Sequence, residues 1–188
     1  MQSLRALLRP QLRSPIPLYC ATMSTSQSAE LVAASPPPWH AAYPAPRNPK
    51  PDGMTREEVL ALMDAQKSPN SHRDFVLVDL RRADHEGGTI RGSINLPAQS
   101  LYPTIPTLYS LFKAAKVQKV IWYCGSSQGR GSRAAGWFAD HIDDQGDKEM
   151  KSLILIGGIK GWAGAGPEYT EQMDGFDASV WSKLGSSC

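Results

Sequence analysis

The chain has 188 residues, 41% of them hydrophobic and 20% charged, which is enough for one domain with a core plus extensions. Its net charge of +2 is uneven: residues 1–29 hold Arg5, Arg9 and Arg13 and no acid, so the remainder is near neutral and gives no ground for a nucleic-acid partner. Cys20, Cys124 and Cys188 are too few and too far apart for a disulfide framework or a zinc site, and no apolar run approaches the ~20 residues that span a bilayer. The expectation is a soluble protein of the cytoplasm or nucleus, with no metal, no cofactor and no membrane partner; the sequence carries no signal for oligomeric state.

Residues 1–51 contain 10 of the 15 prolines, a composition that removes backbone donors and resists helix and sheet. They are predicted to be a largely disordered extension, with Trp39 and Tyr43 laid against the domain. Within residues 1–29, Leu4-Arg5-Ala6-Leu7-Leu8-Arg9 has the basic, acid-free character of a transit peptide, which sets mitochondrial import as the alternative location and Met23 as an alternative start. A catalytic domain is expected over residues 52–181 and a tail over residues 182–188.

Thr55-Arg56-Glu57-Glu58 predicts a capping box, followed by a helix with Val59, Leu60, Leu62 and Met63 on its apolar side. Phe75-Val76-Leu77-Val78 is a short β-branched run of the kind found in buried parallel strands. Ile105, Leu108, Phe112 and Ala115 recur at helical spacing. Val120-Ile121-Trp122-Tyr123 predicts a second strand leading into Cys124, and Ser132 to Ile142 a helix packed through Ala134, Ala135, Phe138 and Ile142. Leu153-Ile154-Leu155-Ile156 predicts a third strand ending at Gly157-Gly158. Strands alternating with helices imply an α/β fold, an open, mostly parallel sheet with helices on both faces.

Ligands of such sheets bind beyond the carboxyl ends of the strands, where Cys124-Gly125-Ser126-Ser127-Gln128-Gly129-Arg130 falls. Gly125 and Gly129 are expected to take backbone angles closed to other residues, curling the loop with its amides inward. The helix that follows adds free amides and a positive dipole end, so an anion is favoured and Cys124 is favoured as a thiolate nucleophile. Arg130 would close the ring with a guanidinium matched to two oxygens of a phosphate-like group. Gly131 belongs to the same loop, and Arg133 either supports the anion or caps a surface. Asp79, at a strand end, is expected to support the loop or Arg81. The loop holds no acid, leaving Asp84, His85 and Glu86 as weak candidates for protonating a leaving group.

These features resemble the rhodanese superfamily. Asp79-Leu80-Arg81, the stretch from Glu86 through Gly92-Ser93-Ile94-Asn95-Leu96-Pro97, and Gly157-Gly158-Ile159-Lys160-Gly161-Trp162 are similar to its D-x-R, G-H-I-x-G-A-x-N-I-P and G-G-x-x-x-W elements, in order around the cysteine loop. The C-x5-R length, with Gly131 and Arg133 after the arginine, resembles the phosphatase-type branch: the M-phase inducer phosphatases and the eukaryotic rhodanese-fold arsenate reductases. Two residues depart from the family pattern, Tyr123 in place of a histidine before the cysteine and Thr89 in place of the histidine of G-H-I. The resemblance implies first a cysteine-dependent phosphatase of tyrosine or dual-specificity type, working through a cysteinyl-phosphate on a phosphorylated protein. It implies second an arsenate reductase drawing on glutathione and glutaredoxin with a small oxyanion as substrate, toward which the missing loop acid tilts. A thiosulfate-type sulfurtransferase, disfavoured by loop length, and an idle anion-binding module complete the alternatives.

Overall fold

A computed structural model describes residues 37–67 and 72–185 of the chain. The transit-like segment, Met23, Cys20 and Cys188 lie outside the described residues. A 3-10 turn at Trp39–Ala42 comes first, then β1 (Gly53–Met54), α1 (Arg56–Ala65), β2 (Phe75–Asp79), β3 (Thr89–Ile90), β4 (Ser93–Asn95), α2 (Ala98–Leu101), α3 (Ile105–Ala114) and β5 (Lys119–Tyr123). They are followed by α4 (Arg130–Asp144), β6 (Lys151–Leu155), α5 (Gly158–Ala163), α6 (Pro167–Thr170), β7 (Met173–Asp174) and α7 (Ala178–Gly185).

β1, β6, β5, β2 and β4 form, in that order, one sheet in which every pair is parallel. β3 and β7 form a separate antiparallel pair. Period-two alternation sends the strand residues to opposite faces. Val78, Val120 and Trp122 pack with α2, α3 and α4 on one side; Phe75, Leu77, Ile121 and Tyr123 pack with α1, α5, α6 and β7 on the other. The sheet is therefore covered on both faces, as an all-parallel sheet requires. The capping box forms in full, with Thr55 Oγ1 accepting from the Glu58 amide at 3.2 Å and Glu58 Oε2 accepting from the Thr55 amide at 2.7 Å.

Three boundaries differ from expectation. The third strand stops at Leu155, and Ile156 is 52% exposed, because the chain turns at Gly157 with φ +79°. The folded unit begins at Pro37, so the division at residue 51 falls inside it. Trp39 and Tyr43 pack on the α4 side of the sheet, and Trp137 Nε1 donates to the Pro44 carbonyl at 2.7 Å. The division at residue 181 falls inside α7, which Trp181 anchors by donating to the Gly87 carbonyl at 2.7 Å.

Candidate active site

Parallel register brings Asp79 beside Tyr123 at the carboxyl ends of β2 and β5, and Cys124 is the next residue along the chain. Cys124 is 4% exposed and faces the α4 side, whereas Tyr123 faces the other. The ring that stands in place of the family's histidine is thus turned away from the thiol's face of the sheet. Its hydroxyl lies 2.7 Å from Thr89 Oγ1 and 2.8 Å from Ser93 Oγ, and accepts from the Ile90 amide at 3.3 Å. The two departures from the family pattern therefore meet each other. Burial, and then the Asp79 charge, push the Tyr123 phenol above its ordinary range, which keeps it neutral.

Asp79 and Arg81 form a fully buried pair, with three hydrogen bonds from the guanidinium to the carboxylate at 2.7–3.1 Å. Thr89 Oγ1 donates to the same carboxylate at 3.0 Å. The other edge of Arg81 donates to the carbonyls of Asp84 (3.4 Å), Glu86 (3.1 Å) and Gly88 (2.6 Å), so this one side chain shapes residues 84–88. That loop presents Asp84 to Arg130, whose two terminal nitrogens meet the two carboxylate oxygens at 2.8 and 2.5 Å. The Arg130 guanidinium holds the Asp84 carboxyl well below the usual carboxylate range. Asp84 in turn, with a smaller contribution from Cys124, raises Arg130 further above its ordinary value. Arg130 is therefore a permanent cation whose fork already fits a two-oxygen anion.

The cysteine loop curls differently from expectation. Neither Gly125 nor Gly129 has a positive φ; the left-handed position is Ser127, at φ +61°. Its carbonyl is tied by the Ser132 amide (3.2 Å) and hydroxyl (2.8 Å), which fixes a conformation that serine seldom adopts. Gly131 is needed for close approach, since a Cβ there would stand 3.0 Å from Ser127 Cβ and 3.9 Å from Cys124 Sγ. No side chain caps α4 at Gly129, and with the Ser132 amide given to Ser127 the Arg130 and Gly131 amides are those left to face an anion. Across the loop, the Ile159 and Lys160 amides donate to the carbonyls of Cys124 and Gly125, both at 3.0 Å. A trans peptide then points the next amides, those of Gly125 and Ser126, away from α5. Gly158, at φ +59°, permits this contact, because a Cβ there would lie 2.5 Å from the Cys124 oxygen.

Cys124, Gly125, Ser126, Gly129, Arg130 and Arg133 line a cavity of about 550 Å³ together with Asp84. Four lining residues carried no sequence signal for the site: Lys160, Gln99, Trp39 and His40. Ser127 Oγ is buried and has no hydrogen-bond partner among the described residues. Gln128 is exposed and does not line the cavity. Of the weak acid candidates, Asp84 is committed to Arg130 and Glu86 lines an adjoining groove. His85 Nε2 stands 3.3 Å from Asp79 Oδ2 without hydrogen-bond alignment. Arg130, Arg133 and Lys160 thus line the cavity with Cys124, a set of positive charges that attracts a tetrahedral oxyanion. No group of three or more metal-ligating side chains occurs among the described residues, and no described helix is long and apolar enough to cross a membrane.

Arsenical-resistance protein 2 of Saccharomyces cerevisiae is 30% identical over 100 residues, spanning 50% of this chain and 77% of that protein. The As-Sb reductase of Leishmania major is 25% identical with a TM-score of 0.52, covering 58% of this chain and 74% of its own. A yeast protein tyrosine phosphatase of the rhodanese family shares the fold at 23% identity and a TM-score of 0.58, over 69% of this chain and 96% of its own. The rhodanese-like domain family matches residues 55–165, the stretch from the capping box of α1 past α5, and the chain belongs to that family.

Proposed function

We propose that the protein is an arsenate reductase in which Cys124 is the nucleophile and Arg130 the oxyanion clamp. The observation that carries this reading is the Asp84–Arg130 pair. The fork beside the thiol already donates to a planar two-oxygen anion at 2.5–2.8 Å, so the cradle is cut for an oxyanion and surrounded by further cations. Arsenate is favoured over a phosphate ester by the similarity to the two arsenical proteins and by a loop without an acid for an alcohol leaving group. The phosphatase reading is second, supported by a cavity of about 550 Å³ that has room for an esterified phosphate.

The chemistry balances with two thiols as reductant. The Cys124 thiolate attacks arsenic, an S–As bond forms and an As–O bond breaks, and the oxygen departs as water once protonated. A small thiol such as glutathione then attacks Cys124 Sγ. The S–As bond breaks with its electron pair left on arsenic, giving arsenite and a mixed disulfide. A second thiol, supplied by glutaredoxin, attacks the glutathione sulfur of that disulfide and returns the Cys124 thiolate. Arsenic gains two electrons and the two external thiols become one disulfide. Arg130, Arg133, Lys160 and the amides of the loop and of the α4 N-terminus bind the anion and stabilise the charge of the transition state.

The test is arsenate reduction by the full chain with glutathione and glutaredoxin, measured beside hydrolysis of an aryl phosphate. Wild-type arsenate turnover is expected to fall by about 10³-fold or more in Cys124→Ser and steeply in Arg130→Lys. Aryl phosphate turnover without arsenate reduction would select the phosphatase. Sulfur transfer from thiosulfate to cyanide, with neither of the others, would overturn both readings.

A further inference from the structure

The oxygen that leaves arsenic needs a proton, and the residues lining the cavity restrict what can hold one. Cys124 is the nucleophile. Asp84 is the ionised partner of Arg130, and Arg130, Arg133 and Lys160 are the cations that bind the oxyanion. Neither the Gln99 amide nor the Ser126 hydroxyl is an acid near neutrality. Of the lining residues this leaves His40, whose imidazole is the side-chain type that exchanges protons near neutrality.

His40 is held in place by construction. It sits in the Trp39–Ala42 turn of a strap that crosses α4 at Gly136, where an added Cβ would lie 2.6 Å from Pro46 Cβ and 2.9 Å from the Asn48 oxygen. Tyr43 stacks on Tyr102 at 4.9 Å, and Arg47 pairs with Asp140 at 3.1 Å and Asp144 at 2.9 Å. The His40 ring packs edge-on against Trp39, and Trp39 against Trp137, over which Arg133 also lies at 6.0 Å. His40 Nε2 is 3.4 Å from a terminal nitrogen of Arg133. Arginine can only donate, so in this contact Nε2 is the acceptor. The charged groups around it are Arg133 and Arg130 from α4, Asp84 from the 84–88 loop, Lys160 from α5 and the Cys124 thiol. A bound dianion draws Arg133 to itself and supplies the counter-charge an imidazolium needs, so binding and proton uptake at Nε2 favour each other.

We propose that His40, carried into the cavity by the N-terminal strap, is the general acid of the first step. It takes a proton from solvent when the oxyanion binds and passes it to the departing oxygen as the S–As bond forms, leaving water and a neutral imidazole. This rests on the arsenate reading above. Trp39 is a positioning residue for the same ring.

The experiment measures arsenate reduction by the full-length wild type, His40→Ala, His40→Gln and Gly136→Ala from pH 5.5 to 8.5, with and without added imidazole. Alkylation of Cys124 by iodoacetamide, with and without inorganic phosphate as competitor, is followed in parallel. The expected result is a fall in kcat of about 10²-fold in both His40 variants with KM within about threefold. Imidazole restores part of the rate in His40→Ala. The decline of wild-type kcat toward high pH, which reports loss of the His40 proton, is absent from both variants. Gly136→Ala, which dislodges the strap without touching the cavity, loses rate in the same direction. Alkylation in the absence of phosphate stays as in wild type, showing an intact cradle, while protection requires up to about threefold more phosphate because the imidazolium that anion binding favours is gone. Wild-type kcat and pH profile in His40→Ala overturn the assignment, and so does a loss that imidazole leaves untouched and that alters alkylation. A wild type that reduces no arsenate overturns the function proposed above, and the assignment with it.

Discussion

Two polar clusters sit at the carboxyl ends of neighbouring parallel strands, and they are finished differently. Around Asp79, Arg81, Thr89 and Tyr123, each side chain has hydrogen-bond partners within 3.4 Å, and Asp79 and Arg81 are 0% and 2% exposed. Around Cys124, three cations face a cavity with one carboxylate among them, and Ser127 Oγ is buried without a partner among the described residues. Low dielectric makes both arrangements consequential. The saturated cluster can only hold structure, since any change leaves a buried group unpaired. The unsaturated one keeps binding capacity in reserve for an anion. The two are joined by Arg81, which is saturated on one edge by Asp79 and shapes with the other edge the loop that presents Asp84.

Arg81→Met is expected to have the largest effect on stability. It removes the partner of a carboxylate with no exposure and leaves that charge uncompensated, a change that costs about 3–5 kcal/mol. Urea unfolding should show the loss as a lower midpoint, and anion protection of Cys124 should weaken because residues 84–88 lose their donors. An unchanged midpoint would mean that the saturated cluster does not hold the fold. Tyr123→Phe comes next. It deletes one hydroxyl and leaves Thr89, Ser93 and the Ile90 amide short of a partner, a cost of about 1–3 kcal/mol. Because the ring faces away from Cys124, arsenate turnover should stay close to wild type. A large fall in turnover with stability unchanged would move Tyr123 into the catalytic cluster.

Much of this architecture is legible in the sequence. The runs at Phe75, Val120 and Leu153 are long enough and apolar enough to be buried strands, and Cys124 falls at the end of one with a helix pattern after it. The family likeness of the loop follows from the same local residues. What escaped depends on distance along the chain. Asp84 and Arg130 are 46 residues apart, and only the strand order β6-β5-β2 brings them together. Lys160 reaches the site because α5 is pinned to the carbonyls of the cysteine loop, a backbone contact with no side-chain signature. Trp39 was expected against the domain, but its place at the site and that of His40 have no local signal in a proline-rich stretch, and Gly136, an unremarked residue inside a helix, is where that segment crosses. Composition also misplaced the left-handed turn. Glycines were expected to carry it, but the hydrogen bonds to the Ser127 carbonyl compensate a serine for the same geometry.

Asp84→Asn has the smallest expected effect and sharpens the comparison most. The Asp84 side chain is 50% exposed, so its pair with Arg130 is screened and worth little to stability at neutral pH. Its carboxyl is held below the ordinary range in the folded protein, so the folded state binds fewer protons than the unfolded one at acid pH. Stability from this group is therefore complete above the ordinary carboxylate value and is lost as pH falls below it. Thermal melts of the variant should accordingly be flatter than wild type below about pH 4. The binding change decides what Asp84 does. If it occupies the fork as an internal competitor, removing its charge frees Arg130, and phosphate should protect Cys124 from alkylation at a concentration lower by up to about fivefold, the factor an exposed pair of up to about 1 kcal/mol allows. If it instead aims the guanidinium, asparagine loosens the fork and phosphate protects less well. Tighter binding with flatter acid melts would show that the open cluster carries its own substitute for the oxyanion, which the substrate must displace before the thiol can reach it.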